Sequence, residues 1–156
     1  RDLSDTVYIT PTLKSAKKVF GAGADIIALD GTPRPRPGDR NLEELIKGIR
    51  NQTSILIMAD IATYEGGIQA IESGADILAT TLSGYTEKTS SRKDGPDLDL
   101  VDKLAKDVNV PVIAEGRFQK PDQIAKALEL GAHAIVIGTS ITNPQVITSR
   151  FVAATT

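Results

Sequence analysis

Short apolar runs recur along the chain at near-regular intervals, and three of them share a spelling. Gly23-Ala24-Asp25-Ile26-Ile27-Ala28-Leu29-Asp30, Gly74-Ala75-Asp76-Ile77-Leu78-Ala79-Thr80-Thr81 and Gly131-Ala132-His133-Ala134-Ile135-Val136-Ile137-Gly138 each read as a glycine followed by a brief apolar strand. A helical pattern precedes each copy. In Leu13, Ala16, Val19, Phe20 and in Ile124, Ala125, Leu128 the apolar positions recur three and four apart. The glycine is therefore expected to end a helix and open a strand. Between the copies lie Val7-Tyr8-Ile9, Ile55-Leu56-Ile57-Met58 and Val110-Pro111-Val112-Ile113-Ala114, each too short for a helix. Thr63, Pro121 and Asn143-Pro144 mark helix starts. The pattern predicts six strands alternating with six helices.

Near-continuous apolar strands alternating with helices imply an α/β protein with a parallel sheet covered on both faces. An open doubly wound sheet and a closed barrel both satisfy this. Thr10-Pro11-Thr12-Leu13 lacks the G-x-G-x-x-G turn expected of a dinucleotide-binding doubly wound fold, which favours the barrel. A TIM-type (βα)8 barrel needs eight strands and typically about 200 residues or more. The 156 residues hold six units. We therefore expect residues 1–156 to form a single barrel domain, truncated at the N-terminus, with the first two βα units missing. Raw sheet edges in such an array predict poor solubility or self-association, including a homodimer.

Composition narrows the function. With 40% apolar and 24% charged residues the chain fits one globular domain with a real core. Eighteen basic residues against twenty acidic ones give a net charge of −2, with no basic stripe interleaved with aromatics, so nucleic acid is not the expected partner. The chain has no cysteine, which removes disulfides and thiolate chemistry. No apolar run approaches the roughly 20 residues of a membrane span, and Arg1-Asp2-Leu3-Ser4-Asp5 has no apolar signal-peptide core. A cytoplasmic protein with no membrane partner is expected.

In barrels the active site lies at the carboxyl ends of the strands. Here those positions are Thr10, Asp30, Asp60, Thr80 with Thr81, Glu115, and Gly138 with Thr139, nearly all polar. A phosphate is commonly held by the last two strand-end loops, which read Glu115-Gly116-Arg117 and Gly138-Thr139-Ser140. Glycines at 116 and 138 admit backbone N–H groups, Thr139 and Ser140 offer hydroxyls, and Arg117 offers a charge. A simple chain turn at Gly138-Thr139-Ser140 is the plainer alternative. Glu115 is a candidate acid or base, against a salt bridge to Arg117. Asp60 is a candidate ligand of sugar hydroxyls, against a cap on the following helix. Asp30 leads into the extended Gly31–Gly38 loop, whose arginines either reach a ligand or are solvated. Ser83-Gly84-Tyr85-Thr86 opens a long loop to Pro96, of the length of a functional one. His133 precedes its strand, at the far end from the site, and reads as structural. Carboxylates without histidine partners predict no metal.

These strand-end segments closely resemble the N-acetylmannosamine-6-phosphate 2-epimerases of bacterial amino-sugar catabolism. The resemblance rests on Tyr8-Ile9-Thr10-Pro11-Thr12, on Ile27-Ala28-Leu29-Asp30 with Arg34-Pro35-Arg36-Pro37, and on Met58-Ala59-Asp60-Ile61. It continues through Thr80-Thr81-Leu82-Ser83-Gly84-Tyr85-Thr86, Val112-Ile113-Ala114-Glu115-Gly116-Arg117, and Ile141-Thr142 to Phe151. It implies a (βα)8 barrel that interconverts N-acetylmannosamine 6-phosphate and N-acetylglucosamine 6-phosphate at C2, with no cofactor. It also implies a principal acid/base lysine upstream of Arg1, assisted by Glu115, so that this chain alone would be inactive. Lys14, Lys17 and Lys18 lie on a helix and do not replace it. On this reading Asp60, Thr81, Ser83, Tyr85 and Arg34 bind the sugar. Gly116, Arg117, Gly138, Thr139 and Ser140 bind its phosphate. The competing readings are a non-catalytic or decayed phosphosugar-binding barrel and another phosphate-binding barrel lyase or synthase.

Overall fold

The computed structural model describes residues 7, 9–38, 40–91 and 94–155. Strands and helices alternate as α1 (Leu13–Gly21), β1 (Ile26–Asp30), α2 (Leu42–Arg50), β2 (Leu56–Asp60), α3 (Tyr64–Glu72), β3 (Ile77–Ala79), α4 (Leu98–Asp107), β4 (Val112–Glu115), α5 (Pro121–Glu129), β5 (Ala134–Val136), α6 (Thr139–Thr142) and α7 (Pro144–Ala153). The expected strand Val7-Tyr8-Ile9 includes Tyr8, outside the described residues. Beside it, the Ile9 carbonyl accepts from the Asp30 amide at 3.0 Å.

Among the described residues five strands are parallel and pair in sequence order, β1-β2-β3-β4-β5. A doubly wound sheet reverses its order part-way, whereas sequential order is the path of a barrel wall. This is a partial (βα)8 barrel. Register sets Asp30 beside Asp60, so both carboxylates stand at the same height at the carboxyl end of the wall.

The local signals act as the residue types require. Gly23, Gly74 and Gly131 have φ of +89°, +102° and +95°, a left-handed turn that ends one helix and turns the chain into the next strand. Thr63 caps α3 by accepting from the Gly66 amide, and Asn143 caps α7 by accepting from Val146 with Pro144 at the first helical position. Pro121 opens α5 in the same way. On one face of the wall Ile27, Leu29, Ile57 and Leu78, all fully buried, pack against Leu45, Ile46 and Ile49 of α2 and Leu104 of α4. Each such side chain contributes roughly 1.5–3 kcal/mol by leaving water.

The expectation of cover on both faces changes here. Sequential order puts the helices on one face, and the other is the barrel interior, where Ile26, Leu56 and Val136 remain more than 40% exposed. The helix patterns are also corrected at their edges. Ala127 rather than Leu128 is the buried anchor of α5, and Phe20 of α1 is nearly half exposed. Among the described residues no helix is long and apolar enough to cross a membrane.

The repeated aspartate earns its place in the second copy. The Asp76 carboxylate accepts from the Ile57 amide at 2.7 Å and pairs with Arg50, joining α2, β2 and β3. Asp76→Ala leaves that strand amide without its acceptor. We expect a loss of about 1–3 kcal/mol in urea unfolding.

Candidate functional site

The site grows from three strand ends. At β3 the chain turns into a short 3-10 segment, Thr80–Leu82, that presents two threonines in opposite roles. Buried Thr80 continues the sheet ladder with its side chain. Its hydroxyl donates to the Glu115 carbonyl and accepts from the Glu115 amide, both at 3.0 Å. This fixes the backbone of Glu115. Thr81 addresses the carboxyl groups. Its Oγ1 lies 2.8 Å from Asp60 Oδ1 and 3.1 Å from Glu115 Oε2.

One hydroxyl hydrogen serves one carboxylate at a time. When one carboxyl carries a proton, the three groups form a continuous chain, with that acid donating to Thr81 and Thr81 donating to the other. The surroundings favour such a proton. Burial pushes Asp60 from 3.8 up to about 7, against the hydrogen bond from Thr81 and with help from the nearby charges of Glu115 and Asp30. Glu115 is pushed up as well, mainly by burial and against the same hydrogen bond. Thr63 caps α3, so Asp60 is left free of that duty. The arrangement can take up or release a proton near neutral pH.

Glu115 and Thr81 line a cavity of about 400 Å³ that extends toward the last strand end. There the wall is Gly116, Gly138, Thr139 and Ser140. Gly116 has φ +109°, and the space beside Gly138 is open, so backbone faces the cavity at both glycines. The first intrahelical acceptor of α6, the Gly138 carbonyl, is taken by Ile141 and Thr142, which leaves the amides of Thr139 and Ser140 ahead of the ladder.

Nine of the eleven expected residues line this one cavity: Arg34, Thr81, Tyr85, Glu115, Gly116, Arg117, Gly138, Thr139 and Ser140. Asp60 reaches it through Thr81. Ser83 faces away, with its hydroxyl donating to Asp97 Oδ2 at 2.5 Å. The Ser140 hydroxyl donates to the Phe118 carbonyl. Arg117 donates to main-chain carbonyls of Ser83 and Gly95, in place of a bridge to Glu115. Asp30, fully buried, accepts from the Thr32 amide and hydroxyl and from Arg34 Nη2 at 2.5 Å, so it shapes its loop and aims Arg34. His133 sits at the opposite end, its amide bonded to the Val112 carbonyl.

Sequence reasoning missed Arg150. From α7 its Nη2 donates to Ser140 Oγ at 3.1 Å, and its side chain lines the same cavity. The available signal was its position two turns after Pro144, on a helix that follows the last strand end.

Over its whole length, residues 1–156, the chain matches the sequence profile of the family described as "Putative N-acetylmannosamine-6-phosphate epimerase". The chain belongs to the N-acetylmannosamine-6-phosphate epimerase family. A relative from Caldanaerobacter subterraneus subsp. tengcongensis, named "Putative N-acetylmannosamine-6-phosphate 2-epimerase", is 53% identical over 146 residues, 93% of this chain and 61% of its own. One of the same name from Clostridioides difficile is 47% identical over 148 residues, 95% of this chain and 66% of its own. This chain thus spans somewhat under two thirds of the length of the first of these. The solved structure of the N-acetylmannosamine-6-phosphate 2-epimerase from Clostridium perfringens superposes with a TM-score of 0.88 at 43% identity, over 95% of this chain and 64% of that one. Inosine 5'-monophosphate dehydrogenase from Legionella pneumophila, at 24% identity and a TM-score of 0.62 over 85% of this chain and 42% of its own, shares the fold.

Proposed function

We propose that this chain is the greater part of a (βα)8 barrel that interconverts N-acetylmannosamine 6-phosphate and N-acetylglucosamine 6-phosphate in amino-sugar catabolism. The observation that carries the reading is the Asp60–Thr81–Glu115 chain at one end of a cavity whose other end presents backbone amides and Arg150. In the open-chain sugar the C1 aldehyde makes the C2 proton acidic, because its electron pair can delocalise onto the carbonyl oxygen. Removing that proton gives an enolate, and returning one to the opposite face inverts C2. Glu115 holds or delivers a proton at C2 or at the carbonyl oxygen, with Thr81 and Asp60 setting its protonation. The family resemblance implies a lysine as the other acid/base.

The phosphate is placed against Gly116, Gly138 and the amides of Thr139 and Ser140, with Arg150 as the nearby cation. Arg34 and Tyr85 face the sugar. A phosphorylated substrate carries charge that bilayers exclude, which fits a cytoplasmic setting. The exposed Phe20 and Leu128 and the open interior at Ile26, Leu56 and Val136 fit surfaces met by further βα units or by a second copy.

Conversion of one epimer into the other by the complete protein, followed by proton NMR, tests the assignment. No conversion by folded protein would reject it. Arg150→Ala is expected to raise KM for the sugar phosphate about tenfold or more with kcat within about threefold, the loss of one charge-assisted contact.

A further inference from the structure

Two arginines of this region, Arg117 and Arg150, line the cavity wall near the glycines, and their partners differ in kind. Arg117 stands two residues beyond Glu115 in a left-handed conformation, φ +57°, that side-chain-bearing residues seldom adopt. From there its Nε donates to the Gly95 carbonyl at 2.6 Å and its Nη1 donates to the Ser83 carbonyl. Its guanidinium also lies 5.6 Å from the Tyr85 ring centre. Ser83 follows directly on the 3-10 segment that carries Thr81. Its side chain is tied a second time, to Asp97 at the start of α4. A planar guanidinium spans two carbonyls in a way an ammonium cannot.

We propose that Arg117 is a positioning residue that ties the Thr81–Tyr85 segment to the strand end bearing Glu115, and that it does not supply the charge for the phosphate. Its two bonds hold the Thr81 hydroxyl within reach of both carboxyl groups and Tyr85 over the cavity. Arg150, which donates to the Ser140 hydroxyl beside Gly138, is assigned to the phosphate instead. The kinetic consequence and the placing of the phosphate rest on the epimerase reading; the tie made by Arg117 does not.

The test compares Arg117→Lys, Arg117→Ala and Arg150→Ala in the complete protein. Its readouts are a titration with inorganic phosphate, hydrogen exchange of the Gly84 and Tyr85 amides, and kcat. Those amides are bonded to Thr89 Oγ1 and to the Leu82 carbonyl, so their exchange reports the segment directly. In both Arg117 variants exchange is expected to quicken about tenfold or more and kcat to fall about tenfold, with phosphate affinity within about twofold of wild type. Arg150→Ala is expected to weaken phosphate about fivefold or more and leave the exchange unchanged. Loss of phosphate affinity in the Arg117 variants as large as in Arg150→Ala overturns the proposal, as does unchanged exchange. If the alanine variant fails to fold, the lysine variant carries the comparison. A wild type without turnover would instead reject the epimerase reading, with the phosphate and exchange results still legible.

Discussion

Glu115→Gln in the complete protein is expected to lower kcat/KM for N-acetylmannosamine 6-phosphate by about 10²–10⁴, the usual contribution of a positioned acid or base. Glutamine keeps the length of the side chain and can still accept from the Thr81 hydroxyl. The Thr80 bonds are to the backbone of residue 115 and are untouched. What is lost is the titratable proton. Burial already disfavours the charged form of Glu115, so a neutral isostere carries no folding penalty from that source. Steady-state kinetics beside thermal unfolding check both halves. A variant within about fivefold of wild type, or one that is poorly folded, contradicts the role.

Asp60→Asn is expected to stabilise the fold above neutral pH while lowering turnover about tenfold or more. The native carboxyl is raised by burial from 3.8 to about 7, so the folded state binds its proton more tightly than the unfolded chain does. The stability this gives is fully present below about pH 4 and is lost as pH rises through about 7. The whole difference amounts to roughly 4 kcal/mol as an upper bound, since each tenfold gain in proton affinity is worth about 1.4 kcal/mol. Asparagine does not ionise, so its advantage over wild type grows from about pH 4 to pH 7 and then levels. Urea midpoints at pH 5 and pH 8 measure this. An equal difference at both pH values would show that Asp60 does not titrate in that window. Turnover falls because the proton that Asp60 contributes to the Thr81 chain is gone.

Much of this was legible in the chain because each signal is local. A glycine between a helix and an apolar run fixed all three repeated strand starts, since the left-handed turn at Gly23, Gly74 and Gly131 strains any other residue. Strand ends carry the site in this architecture, so Glu115, Thr81 and Gly138 follow as candidates once the strands are placed. What escaped is set by contacts distant in sequence. Arg150 meets Ser140 across ten residues of helix and loop, and Ser83 meets Asp97 across fourteen. The direction of Arg117 depends on a backbone conformation that its residue type does not announce. Which individual apolar side chains stay exposed also escaped. A periodic pattern identifies Leu128 as apolar, but only its neighbours decide that it stays half exposed.

The most direct test of the central claim is proton NMR in D2O with N-acetylmannosamine 6-phosphate, run on the complete protein. The expected result is the gluco epimer with deuterium at C2. Folded complete protein that leaves the C2 proton in place and forms no second epimer would contradict it.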